Sequence, residues 1–218
     1  MHAQSIAFTR QAPSRPPLAD DAEEIKLMGV AKRFARDQEI FGEGESAELV
    51  YKVVSGAVRC FRVLADGRRQ ISEFYLPGDV FGVEAGPDRS CNAEAVSETV
   101  VIQARRSQLL ADDFDQGAKM WRLAVRELQR SQDHILTLGR RAAGERVASF
   151  LVDLATRTEA GDDLELPMSR QDMADYLGLT IETVSRTFTQ LQAQNLIRLS
   201  GCRHVSLADR GALHELCE

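Results

Sequence analysis

The chain has 218 residues and a formal net charge of −6, with 27 Lys and Arg against 33 Asp and Glu. Its 44% hydrophobic content is ordinary for a globular protein, and the length suffices for two modest domains. No run approaches the ~20 apolar residues of a membrane span and the N-terminus lacks the apolar core of a signal peptide, so a cytoplasmic location without membrane contact is expected.

In chain order, residues 1–24 carry Pro13, Pro16 and Pro17 and predict a mobile tail. Residues 25–110 break into short apolar runs such as Leu49-Val50-Tyr51, Val53-Val54 and Val100-Val101-Ile102, punctuated by Gly42, Gly44, Gly56, Gly67, Gly78 and Gly82. Short strands at such turn-marked spacing predict a compact barrel or sandwich, with hairpin turns at Asp66-Gly67 and Pro77-Gly78.

Residues 111–141 follow a helical pattern that contains a heptad. Trp121, Leu128 and Ile135 are seven apart, and Ala124, Ser131 and Leu138 follow three residues behind each. The periodicity leaves open whether this seam meets a partner helix or the chain's own β-layer.

Residues 142–218 hold the most specific motif, SRQDMADYLGLTIETVSRTFTQL from Ser169 to Leu191. Met173, Ala174 and Leu177 give a first helix its inward stripe, and Gly178 permits a sharp turn. Ser169 with Asp172 forms a capping box, and Thr180 stands where it can cap a second helix. With ~100° of rotation per residue, Ser185, Arg186 and Thr189 fall within roughly 60° of Glu182, while Val184, Phe188 and Leu191 gather opposite. The arrangement is a helix-turn-helix with an outward polar face. A guanidinium fork fits guanine O6 and N7, and a carboxylate accepts from cytosine N4. Arg186 and Glu182 are therefore candidate base readers with Ser185 between them, although at this spacing the two charges could equally form a surface ion pair.

Downstream, Leu196 to Leu199, a Ser200-Gly201 turn and Arg203 to Leu207 predict a β-hairpin, which makes the unit a winged helix. Candidate phosphate contacts are Arg170, Thr180, Thr183, Thr189, Arg198, Arg203 and His204. From Leu166 to Arg210 five arginines oppose four carboxylates, so few phosphate contacts and weak non-specific DNA binding are expected.

The segment LGLTIETVSRTFTQL resembles the recognition element of the CRP/FNR superfamily of bacterial transcription regulators. Residues Ile40 to Gly82 are similar to that family's cyclic-nucleotide-binding β-roll, and the resemblance spans roughly residues 25–210. It implies an α+β fold: an N-terminal β-roll of jelly-roll type, a long dimerisation helix and a C-terminal winged helix-turn-helix. It further implies a homodimer joined through Trp121, Ala124, Leu128, Ser131, Ile135 and Leu138. Such a dimer binds a palindromic operator with RNA polymerase as a further partner, in the role of an activator.

The sensing chemistry is read mainly from absences. Cys60, Cys91, Cys202 and Cys217 are scattered, without the closely spaced thiolates of an iron–sulfur cluster. His2, His134, His204 and His214 read as surface residues, and no metal or other cofactor is expected. The family's nucleotide cassette uses a Gly-Glu turn and an Arg-Ser pair. Here Val83 follows Gly82, Glu84 is one step out of register and the loop to Arg89 looks shortened, so Arg89-Ser90 reads as a surface turn and no small-molecule effector is expected. A cyclic-nucleotide-responsive regulator is the alternative.

Without either sensor, the chain resembles the FixK branch, which controls low-oxygen respiration and nitrogen-fixation genes. The resemblance implies a TTGA-type half-site, because CRP carries arginine where Ile181 stands, and isoleucine can offer only apolar contact, for example to a thymine methyl. Cys202, beside Arg203 and His204, is a candidate redox thiol. Ser169 would be one only where a cysteine stood there natively. No nucleophile–base pair, metal cluster or phosphate-cradling loop suggests an enzyme.

Overall fold

The structure is a computed structural model describing residues 27–108, 114–140, 142–158 and 160–217; the tail expected at 1–24 lies outside these residues. Eight strands open the fold: β1 (Val30–Phe34), β2 (Glu39–Phe41), β3 (Leu49–Ser55), β4 (Val58–Val63), β5 (Arg69–Tyr75), β6 (Val80–Phe81), β7 (Asn92–Ala95) and β8 (Thr99–Arg105). They form two antiparallel four-stranded sheets, ordered β1-β8-β3-β6 and β2-β7-β4-β5. Alternating side chains of the two sheets meet in a core of Phe34, Phe41, Tyr51, Val58, Phe81 and Val101. Within it Phe41, Tyr51 and Phe81 stack with ring centroids 5.1–6.2 Å apart.

The expected hairpin turn at Asp66-Gly67 joins β4 to β5. Gly67 has φ +82°, and the Asp66 carboxylate accepts the Arg68 backbone N–H at 3.0 Å.

Helix α1 (Phe114–Arg140) follows a 3-10 turn at Arg106–Gln108. One side of α1 lies on the β-roll, where Leu123 packs with Leu27, Val50, Val80 and Ala104. The chain then forms α2 (Ala143–Arg157), β9 (Asp163–Glu165), α3 (Arg170–Leu177), α4 (Ile181–Ala193), β10 (Ile197–Ser200), β11 (His204–Leu207) and α5 (Arg210–Leu216). The wing is larger than the predicted hairpin: β9 adds a third strand, in the order β10-β11-β9. Between its exposed Asp163 and Glu165, Leu164 is buried opposite Val205.

The core of the C-terminal unit, built on Leu151, Met173, Leu177, Phe188, Leu191, Ile197 and Leu213, does not stop at its edge. Phe61, Ile71, Phe74 and Leu76 of the β-roll continue it, and the Phe74 ring meets Tyr176 at 5.2 Å and Phe150 at 6.1 Å. Among the described residues no helix is long and apolar enough to cross a membrane.

Candidate nucleic-acid interface

Local chemistry fixes both helices of the Ser169–Leu191 motif. Ser169 Oγ accepts the Asp172 backbone N–H at 3.0 Å, and the Asp172 carboxylate accepts the Ser169 N–H at 3.0 Å and its hydroxyl at 2.7 Å. Gly178 ends α3 in the left-handed region, at φ 62° and ψ 39°. Thr180 starts α4 by accepting the Thr183 N–H on its hydroxyl at 3.2 Å. Val184, Thr187, Phe188 and Leu191 are buried, which fixes how far α4 can rotate about its axis.

That rotation leaves Glu182, Ser185, Arg186 and Thr189 exposed, with Ile181 38% exposed at the helix start. No ion pair joins Glu182 to Arg186 among the described residues, so the local pairing considered from sequence does not form. Glu182's own backbone N–H, then the Thr180 hydroxyl, holds its carboxyl below the usual range. The face therefore presents an anion, a hydroxyl and a cation to solvent, each ready for a partner.

The candidate phosphate residues separate into groups. Thr180 and Thr183 share a hydroxyl–hydroxyl contact of 3.1 Å at the N-terminus of α4, where backbone N–H groups favour anions. Thr189 turns its hydroxyl back to donate to the Ser185 carbonyl at 3.2 Å. Arg198 and His204 are exposed on the wing, Arg203 is half-exposed, and Glu165 sits directly across from His204. Arg170 departs from the expectation of an outward phosphate contact. Its guanidinium lies over the Phe188 ring, 3.2 Å from the centroid, and burial lowers its pKa to about 10. The cation thus covers the end of the core. Cys202 is an exposed free thiol on the wing, and Ser169 is occupied as a cap.

On α1, Trp121, Leu128 and Ile135 are 71%, 58% and 67% exposed, and Ala124 and Ser131 are exposed beside them. Leu138 differs from these five. It is half-buried, with a methyl 3.4 Å from where a Cβ on Gly178 would stand, so it packs on the helix-turn-helix of its own chain.

Comparison with known proteins settles the lineage. The Crp-like helix-turn-helix domain profile matches residues 145–216, and the cyclic nucleotide-binding domain profile matches residues 31–111. The nitrogen fixation regulation protein FixK of Azorhizobium caulinodans is 49% identical over 206 residues, covering 91% of this chain and 83% of that one. Its namesake in Rhizobium meliloti is 46% identical over 187 residues, covering 83% of each. The chain belongs to the FixK branch of the Crp/FNR family. The structure of FixK2 from Bradyrhizobium japonicum agrees, with 46% identity, a TM-score of 0.85, and coverage of 88% of this chain and 98% of that one.

Between the β-roll and α1 lies a cavity of about 620 Å³. The expectation that Arg89-Ser90 forms a surface turn is corrected here, because Arg89 is only 3% exposed. Its guanidinium donates to the Gly82 carbonyl at 2.6 Å and the Leu49 carbonyl at 2.5 Å, and lies 4.1 Å above the Phe41 ring. Gly82 suits this place because its φ of +75° strains any side chain, and a Cβ there would also stand 2.9 Å from the guanidinium. Glu84 accepts from the Ser90 N–H and hydroxyl. The Arg89 guanidinium is thus committed to closing the roll.

A second correction concerns His134, which is half-buried rather than a surface residue. Its ring meets that of Tyr176 at a centroid distance of 4.1 Å, and burial lowers its pKa to about 4. His204 and His214 are exposed, and His2 lies outside the described residues.

Sequence reasoning missed the contact that orients this FixK-type reading head. Arg59 of β4 donates to Asp172 at 3.1 Å, and Arg69 of β5 donates to Asp172 at 2.6 Å and Asp175 at 2.9 Å. Glu94 and Asp37 complete the cluster on Arg59, at 2.6 and 3.0 Å. Burial alone would raise the Asp172 carboxyl, but the Ser169 hydrogen bonds and the two guanidinium charges outweigh it and hold it below its ordinary value. The burial of β4 reflects this contact. Val58-Arg59-Cys60-Phe61 is buried without alternation, as a strand covered on both faces must be.

Proposed function

We propose that the protein is a homodimeric transcriptional activator that reads a palindromic, TTGA-type operator through α4. Arg186 donates to guanine, Glu182 accepts from cytosine, Ser185 touches a base edge and Ile181 meets a thymine methyl. Thr180, Thr183, Thr189, Arg198, Arg203 and His204 position the helix on phosphates. The observation that carries this reading is the exposed Glu182–Ser185–Arg186 face on a helix capped at its start and buried along its back.

The exposed stripe of Trp121, Leu128 and Ile135 supports dimerisation through α1, with Ala124 and Ser131 at its margin. Two-fold pairing would set the reading helices one DNA turn, about 34 Å, apart. The names of the two FixK relatives support control of nitrogen-fixation genes; microaerobic genes, a cytoplasmic location and contact with RNA polymerase complete the proposal. The role is regulatory rather than enzymatic.

No small-molecule effector is part of this reading, because Arg89 is committed within the roll. Calorimetric titration with cyclic AMP should show no heat of specific binding, and micromolar affinity would favour the nucleotide-responsive alternative. Selection of bound duplexes from random DNA tests the operator directly. Enrichment of a two-fold symmetric site with TTGA-type halves is the expected result, and enrichment of no sequence would refute the proposal.

A further inference from the structure

Cys60 and Cys91, distant in sequence, meet in the β-roll. Cys60 in β4 stands opposite Ala93 of β7, so Cys91, two residues earlier on the same side, lies diagonally across from it. Both thiols line the same cavity of about 620 Å³, close enough for each to shift the other's pKa. The opposite wall of that cavity is α1, through Met120, Leu123, Ala124 and Glu127. Cys60 is 4% exposed, whereas Cys91 is half-exposed and precedes β7 at the end of the loop that carries Glu84 and Arg89. Both are free thiols.

We propose that Cys60 and Cys91 form a dithiol that closes to a disulfide on reaction with hydrogen peroxide, on the cavity wall facing α1. Cys91 is the attacking thiol. It is the more accessible of the two, and the neighbouring Cys60 thiol favours its thiolate against burial, helped by the charges of Arg62 and Arg89. Cys60 stays protonated in its buried site until it is needed.

The Cys91 thiolate attacks one peroxide oxygen and the O–O bond breaks. Sulfur is oxidised to a sulfenic acid, and the departing hydroxide takes up a proton to become water. The Cys60 thiol then loses its proton and attacks the sulfenic sulfur; the S–S bond forms, the S–O bond breaks, and a second water leaves. Two thiols and one peroxide become one disulfide and two waters.

Closure has a mechanical consequence. Diagonal neighbours have Cα atoms up to about 7–8 Å apart, beyond the roughly 4.4–6.8 Å that a disulfide spans. At that typical spacing, closure draws the loop end at Cys91 toward β4. Met120 and Leu123 line the same cavity, and the Tyr75 hydroxyl donates across it to Glu127 of α1 at 3.2 Å. A shift of this wall moves the seat of the helix that bears the exposed seam.

The test uses the full chain carrying Cys202→Ser and Cys217→Ser, treated with hydrogen peroxide in its folded state. Both remaining thiols should disappear together, with a mass loss of two hydrogens, a cross-linked peptide joining Cys60 to Cys91, and reversal by dithiothreitol. Trp121 is the chain's single tryptophan and lies beside Met120, so its emission should shift on oxidation and return on reduction. Adding Cys60→Ser should leave Cys91 as a sulfenic acid that dimedone traps, whereas adding Cys91→Ser should leave Cys60 unreactive. Two thiols that persist, or a Cys91 sulfinic acid with no cross-linked peptide, would overturn the dithiol. A disulfide that leaves Trp121 emission unchanged would overturn its coupling to α1.

Discussion

Arg59 of the β-roll donates to Asp172 of the first reading-head helix at 3.1 Å, with both side chains buried. Asp172 is at once the N-cap partner of Ser169 and the anion that Arg59 and Arg69 hold. One carboxylate thus starts α3 and fixes it to the sheet. Removing one member of a buried pair strands the other's charge. Asp172→Asn should destabilise the fold by about 3 kcal/mol, the lower end for such pairs because Glu94 and Asp37 still hold Arg59. Urea unfolding measures it, and a change under about 1 kcal/mol would show that the cluster is structurally idle.

His134 and Asp172 should each lose a contribution to stability in acid, over different ranges. His134 binds its proton at about 4 in the folded chain against an ordinary 6.5, so the unfolded chain takes up the proton first. Its contribution is complete above pH 6.5 and is lost as pH falls toward 4. Asp172, with a lowered pKa, contributes above the ordinary carboxylate range and loses that contribution only below it. Glu73, whose carboxyl burial raises to about 7, takes up a proton on folding over the same range as His134 and offsets that loss. His134→Phe, which keeps a ring against Tyr176, should therefore raise the melting temperature relative to the parent chain as pH falls from 6.5 toward 4 and leave the Asp172 loss in place. An unchanged pH profile would place the titration elsewhere.

The exposed seam on α1 makes oligomeric state a sharp observable. Ile135 is 67% exposed in the single chain, so Ile135→Asp costs the protomer little but puts a charge into an apolar two-fold interface. Sedimentation should show a dimer for the parent chain and a monomer for the variant, with secondary structure unchanged. A variant that stays dimeric would exclude α1 as the interface.

Electrostatics limit how the protein holds DNA. The chain carries a net charge of −6, and Arg170 covers the Phe188 ring instead of projecting outward. The slope of log K against log salt should be no steeper than about −6, with specific binding near 10⁻⁸ to 10⁻⁹ M at physiological salt. A steeper slope would reveal phosphate contacts beyond those assigned.

Much of the reading head was legible from sequence because its determinants are local. Ser169, Asp172, Gly178 and Thr180 act within a few residues, and the 3.6-residue period of Val184, Phe188 and Leu191 fixes which face turns outward. The strand-rich roll was legible from turn glycines for the same reason. The pairings that depend on long-range packing were not. Arg170 finding Phe188, Arg89 finding Gly82 and Leu49, and Arg59 crossing to Asp172 each require two elements to be brought together first. Strand β9 was hidden because only Leu164 in it is buried, between two exposed acids.

Arg186 tests base reading most directly, since it is exposed, makes no ion pair with Glu182 and supports no part of the core. Affinity of Arg186→Ala should be measured against a panel of operators with every base pair of one half-site substituted in turn. The variant should lose about 1–3 kcal/mol on the best site and become indifferent to the identity of one base pair while still discriminating at the others. If it ranks and binds the whole panel as the parent protein does, α4 does not read bases through this guanidinium, and the assignment of its face is wrong.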